Sequence, residues 1–172
     1  MSQSLVKILV HIVFSTKDRA ELIPSELESE LYKYIHGIVE KHNAKLIIAG
    51  GTANHIHLLV SIGKNEISEL IGAIKRSTSF WLKKKSVHRF YWQRGYGAFS
   101  IGQSQAADVS RYIRNQKTHH AKKHFQDEFR ELCHKYEVEI DEQFLWVNVR
   151  RLQRRNCFVC FLGFRLRLNP RL

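Results

Sequence analysis

The 172-residue chain reads as an α+β domain of the ferredoxin-like, split βαβ kind, an antiparallel sheet with helices on one face and further helices added toward the C-terminus. Three observations predict it. Short apolar runs with β-branched or aromatic members recur at 7–14, 46–49, 55–62 and 90–101. Between the first and second runs, and again between the third and fourth, the apolar period lengthens to that of a helix. The order strand, helix, strand, strand, helix, strand follows, with no internal repeat or Gly/Ser linker to interrupt it.

Taken in turn, 7–14 is a dense aliphatic run, short enough for a buried strand. Ser25 and Glu28 then spell the S-x-x-E of a capping box. Leu27, Leu31, Tyr34, Ile35, Ile38 and Val39 follow at helical spacing and predict a helix to about His42. Residues 46–49 are a second strand, broken by Gly50 and Gly51, and 55–62 a third. From Glu66, Ile67, Leu70, Ile71, Ile74 and Trp81 mark one side of a second long helix. Lys75, Arg76, Lys83, Lys84 and Lys85 decorate its outer face and end. Residues 90–101 are aromatic and glycine-punctuated, a bulged strand or a bent loop. Ser104 caps a polar helix running to about Lys123, and 125–136 suggests one more.

Apolar residues make up 44% and charged residues 26%, enough for a core and too apolar for wholesale disorder. Lys and Arg number 28 against 16 Asp and Glu, a formal +12 that points to a polyanionic partner. No run of 18 apolar residues exists to span a bilayer. The start lacks the pattern of a signal peptide, and three cysteines make no disulfide framework, so a cytoplasmic protein is expected.

His55-Ile56-His57 is the sharpest local feature. On a strand the two imidazoles share a face, with Cα atoms roughly 6.5 Å apart at about 3.3 Å per residue, and could converge on one metal ion. The plain alternative is two hydrogen-bonded histidines on a half-exposed strand. A histidine-triad nucleotide hydrolase would need a third histidine where Leu59 stands. The second constellation is Tyr112 and Gln116, four apart and so neighbours on a helix. A tyrosine oxygen can be a covalent nucleophile, and a glutamine carbonyl can ligate a hard metal. Arg111 and Arg114 lie near enough to help neutralise a phosphate. His119, His120 and His124 read as ordinary polar helix residues, and Cys157 and Cys160 lack the second ligand pair of a zinc site.

In this order the motifs LVHIVFSTKDR, GGTANHIHLLVSI, IKRSTSFWLK, WQRGYGAFSIGQS, RYIRNQKTHH, FQDEFRELC and DEQFLW resemble those of the single-tyrosine HUH transposases, the IS200-like group of small bacterial insertion sequences. The resemblance covers roughly residues 5–146. It implies that His55, His57 and Gln116 hold a divalent ion, Mg2+ with Mn2+ as a substitute, and that Tyr112 is the nucleophile. It further implies cleavage and rejoining of single-stranded DNA at element ends through a 5′-phosphotyrosine, hairpin DNA as a partner, and a homodimer. Where family members often carry an acid before the first histidine, this chain has Asn54, which can still accept a hydrogen bond from a ligand. No nucleotide cofactor is expected, for there is no P-loop or G-x-G-x-x-G. The alternative is a relative that binds hairpin DNA or RNA without cutting it.

Lys17, Arg19, Lys75, Arg76, Lys83 and Lys84, with Arg111 and Arg114, are the candidate phosphate contacts; Trp81, Trp92 and Tyr96 are candidate stacking surfaces for unpaired bases. The expected division is a transposase domain at 1–146 and a basic tail at 147–172, expected to be poorly ordered. The tail holds seven arginines and no acid, so the rest of the chain is only modestly basic.

Overall fold

Alternation along the central strands sets the architecture, because successive side chains must enter opposite layers. The computed structural model describes residues 5–63, 66–120 and 124–140, the side chain of His119 excepted. β1 (Ile8–Ser15) leads into α1 (Glu28–Lys41). The hairpin of β2 (Lys45–Thr52) and β3 (His55–Ile62) follows, and α2 (Ile67–Lys84) returns the chain to β4 (Gly97–Ile101). α3 (Ala106–Arg114), α4 (Gln116–His120) and α5 (Phe125–Lys135) complete the order. The sheet runs β2-β3-β1-β4 with every neighbouring pair antiparallel, the arrangement of the ferredoxin-like class.

On one face, Val10, Ile12 and Phe14 of β1 and Ile56, Leu58 and Val60 of β3 pack under Leu31 and Ile35 of α1 and Leu70, Ile71 and Ile74 of α2. Each such fully buried side chain contributes about 1.5–3 kcal/mol. The opposite face carries Leu9 and Leu59 under Val109 and Ile113 of α3, and beside them the histidines of the strands. The added helices therefore cover the second face of the sheet.

Several elements differ from the sequence reading in detail. Ser25 lies in a 3-10 turn, Ser25–Leu27, and donates its hydroxyl to Glu26 rather than capping α1. β2 continues through Gly50 and Gly51 instead of ending there. Both glycines serve close approach: a Cβ on Gly50 would fall 2.4 Å from the Ile113 carbonyl oxygen, and one on Gly51 2.3 Å from that of His55. The long polar helix after Ser104 is instead a 3-10 turn followed by α3 and α4, parted at Asn115. In 90–101 only Gly97–Ile101 forms a strand of the sheet, while Trp92 bridges Thr16. All described residues but Ile140 belong to one unit, Met1–Glu139. The expected boundary at Trp146, the basic tail, Cys157 and Cys160 lie outside the described residues. Among the described residues no helix is long and apolar enough to cross a membrane.

Candidate active site

β3 delivers both histidines fully buried on the α3 side of the sheet. Each is turned by its Nδ1 atom. His55 Nδ1 lies 2.6 Å from Asn54 Oδ1 and 2.9 Å from Thr52 Oγ1. Asn54 Oδ1 can only accept, so His55 carries its proton on Nδ1 and directs a lone pair from Nε2 inward. His57 Nδ1 lies 2.9 Å from Nε2 of His11 on β1. The β1–β3 register sets Leu59 opposite His11 and Val13 opposite His57, making the two histidines diagonal neighbours on one face. Their rings stack at 5.1 Å between centroids. Burial first, and His57 second, hold His11 and His55 far below the usual imidazole range, at about 3, so both are neutral at physiological pH.

Glu128 meets them from α5. Its Oε2 lies 2.8 Å from His120 Nε2, 3.4 Å from His57 Nε2 and 3.6 Å from His55 Nε2. Its Oε1 accepts from the Tyr112 hydroxyl and, at 2.9 Å, from Gln116 Nε2. Gln116 Oε1 in turn stands 3.4 Å from His55 Nε2. Burial alone would raise the carboxyl's pKa, but the hydrogen bonds from His120 and His57 overturn that and hold it well below the carboxylate range. Tyr112 responds in the opposite sense: burial, then the adjacent Glu128 charge, keep its phenol protonated.

Four donor atoms, from His55, His57, His120 and Glu128, lie within 4.8 Å of one another and could hold a metal ion. The chemistry of the set fits a divalent cation. Imidazole nitrogens and a carboxylate oxygen face one another, and His55 and His57 are oriented from behind through Nδ1. Such an ion beside a phosphodiester would stabilise charge developing in a displacement.

Of the residues singled out from sequence, His55, His57, Tyr112 and Gln116 meet here even though Tyr112 and Gln116 lie on separate helices. Glu128, His120 and His11 complete the cluster and were not anticipated. His120, expected to be an ordinary polar residue, is 11% exposed with its ring 4.3 Å from that of His55. Glu128 carried a signal that sequence alone could have offered: with Phe125, Phe129 and Leu132 it shares the apolar stripe of α5. His11 likewise interrupts an otherwise aliphatic strand.

The basic residues divide. Lys75 turns inward, donating to the carbonyls of Gln93, Arg94 and Gly95 at 2.9, 3.2 and 2.8 Å, and burial lowers its pKa to about 7. These three bonds use every donor of its ammonium group, none being left for phosphate. Lys17 and Lys83 converge on exposed Tyr91, 5.9 and 3.7 Å from its ring centroid. Lys84 lies over exposed Phe80, and Arg76 and Arg114 are exposed. Arg111 pairs with Asp108 at 3.2 Å, and Arg19 sits in the turn after β1 with a φ of 58°. Trp92 is buried with its indole N–H donated to Thr78, and Tyr96 packs partly buried on the core, while Trp81 stacks on Tyr34.

Sheet, histidine pair and tyrosine helix take the places the resemblance implies, and comparison with known proteins supplies the family. The family model described as "Transposase IS200 like" matches residues 4–116. The IS200 transposases of Salmonella typhimurium (strain LT2) and Salmonella typhi are each 30% identical over 114 residues, 62% of this chain and 74% of theirs. Two solved structures share the fold. A candidate transposase of Deinococcus radiodurans R1 aligns over 67% of this chain and 98% of its own, with a TM-score of 0.54 and 19% identity. A REP-associated tyrosine transposase bound to a REP hairpin aligns over 70% and 73%, with a TM-score of 0.53 and 13% identity. The chain belongs to the IS200-like transposase family.

Proposed function

We propose that this transposase cleaves and rejoins single-stranded DNA at the ends of an insertion element, with Tyr112 as nucleophile. The observation that carries the reading is the meeting of the Tyr112 hydroxyl and the His55, His57 and His120 imidazoles on the two oxygens of one buried carboxylate. The Tyr112 oxygen attacks the scissile phosphorus, the P–O3′ bond breaks, and a 5′-phosphotyrosine and a free 3′-OH result. Attack of a 3′-OH on that linkage reseals DNA and releases Tyr112, so the bond energy is conserved and no nucleotide cofactor is needed.

His55 and His57, joined by His120 and Glu128 and with the Gln116 carbonyl at hand, would hold a divalent cation. When bound, it would polarise a non-bridging phosphate oxygen. Mg2+ or Mn2+ would serve, and three imidazoles lean toward the softer Mn2+. Hairpin DNA is the partner, in keeping with the REP-hairpin complex of a protein of the same fold. Exposed Arg111 and Arg114 on α3, and Lys17 and Lys83 around Tyr91, are the phosphate contacts we favour. The protein would act in the bacterial cytoplasm as a homodimer. A mixed dimer of His57→Ala and Tyr112→Phe subunits regains cleavage if the tyrosine serves its partner's histidines, and stays inactive if it serves its own.

The test is incubation with a 5′-overhang hairpin oligonucleotide and Mn2+ or Mg2+, followed by denaturing electrophoresis. A protein–DNA band that needs the cation supports the reading. Tight binding with no band in either metal contradicts it and favours a binder that does not cut.

A further inference from the structure

Resting on that reading, we propose that Glu128 couples the cation to the nucleophile, one carboxylate oxygen joining the imidazoles as a ligand while the other holds the Tyr112 hydroxyl. The division of labour is visible in the contacts. Oε2 faces His120, His57 and His55 at 2.8, 3.4 and 3.6 Å, while Oε1 accepts from Tyr112 and from Gln116. The side chain is 2% exposed, so these partners rather than water balance its charge. They arrive from β3, α3 and α4, and the carboxylate from α5, where Phe125 packs on the His55 ring and Phe129 on Phe99 of β4. Four elements are thus tied at one group, and two rigid aromatic contacts fix its position.

The two oxygens belong to one delocalised anion, so what happens at one is felt at the other. With Oε2 held by imidazoles alone, Oε1 accepts the Tyr112 hydroxyl and keeps its oxygen aimed at Glu128. Were Oε2 to join the imidazoles in holding a cation, less charge would remain on Oε1, and the phenol would be held less firmly and its oxygen freer to turn toward a phosphate. Glu128 is in this sense a positioning residue: it makes the readiness of Tyr112 depend on occupancy of the metal site. That would keep the tyrosine inert toward DNA until the cation that must assist it is in place.

Glu128→Gln isolates the effect, since the amide keeps the shape but offers a single oxygen, which can serve the cation or the phenol and not both. The full chain carrying 3-fluorotyrosine at position 112 is titrated with Mg2+. Binding is followed by calorimetry and Tyr112 by 19F NMR. Expected for the parent protein is a 112 resonance that shifts along the binding isotherm. For Glu128→Gln, Mg2+ affinity falls at least ~10-fold and the resonance no longer follows occupancy. Should Glu128→Gln not fold, Glu128→Asp, which withdraws both oxygens by one methylene, is held to the same two readouts. Unchanged affinity in the variant, or a silent resonance in the saturated parent, overturns the coupling alone. A parent that binds no Mg2+ overturns the metal reading above and the coupling with it.

Discussion

Consecutive residues of β3 enter two different environments at the same depth. Ile56, Leu58 and Val60 are as fully buried as His55 and His57, yet the first three meet aliphatic side chains of α1 and α2 and the last two meet a carboxylate, an asparagine and other histidines. On the apolar face, area removed from water does the stabilising. On the histidine face, buried polar groups only recover through hydrogen bonds what desolvation took away, so that arrangement adds little to stability and is kept for its chemistry. One strand thus separates what holds the fold from what would perform the proposed reaction.

Substitutions one residue apart should break that pairing most visibly. Leu58→Ala opens a cavity in the helix-covered core and should lower stability by about 2–5 kcal/mol, with DNA cleavage per folded molecule retained. His57→Ala should abolish cleavage and cation binding with a smaller shift in melting temperature. Thermal melts beside a cleavage assay give both quantities, and equal losses of both in the two variants would erase the distinction.

His11 tests the layer behind the ligands. It meets His57 at Nδ1, the nitrogen turned away from Glu128, and its ring lies beside those of Tyr112 and Phe99. His11→Ala should therefore weaken Mn2+ binding by about 10–100-fold through loss of imidazole orientation, without removing a ligand. Calorimetry checks it, and unchanged affinity would reduce His11 to packing.

Acid should reach the histidine face before the apolar one. His11 and His55 take up protons near 6.5 when unfolded but only near 3 when folded. Between those values the unfolded chain binds more protons, so stability is flat above about pH 6.5 and falls as pH drops from there toward 3. The depressed Glu128 carboxyl works in the same direction below its ordinary 4.5. Melting temperatures recorded from pH 8 to pH 4 should show the decline beginning near 6.5. A constant value across that range would contradict the burial of neutral imidazoles.

The smallest effects separate two lysines of α2. Lys83→Ala should leave stability unchanged and reduce the slope of log K against log salt for hairpin DNA by about 1. Lys75→Ala should leave that slope alone and destabilise by about 1–3 kcal/mol, since three carbonyls lose their donor.

Periodicity made the helix-covered face legible, because 2- and 3.6-residue repeats are local properties of the chain. The same local rules placed His55 and His57 side by side, and the resemblance supplied roles for them, Tyr112 and Gln116. Glu128, His120 and His11 were harder to read, since each reaches the site from an element remote in sequence and acquires meaning only when α4, α5 and β1 are laid on the sheet. A carboxylate on the apolar stripe of α5 was the available clue. Lys75 was hard to read for a related reason: its place on α2 suggests solvent, but the carbonyls of residues 93–95 take up its ammonium group. Gly50, read with Gly51 as a strand break, instead lets the end of α3 lie against β2 at Ile113.

The most direct test of the account is to trap the protein on a single-stranded hairpin oligonucleotide with Mn2+, digest the adduct and map the modified peptide by tandem mass spectrometry. The account predicts a nucleotide phosphate on Tyr112 and no adduct from Tyr112→Phe. An adduct that persists in Tyr112→Phe, or that maps to another residue, would contradict it.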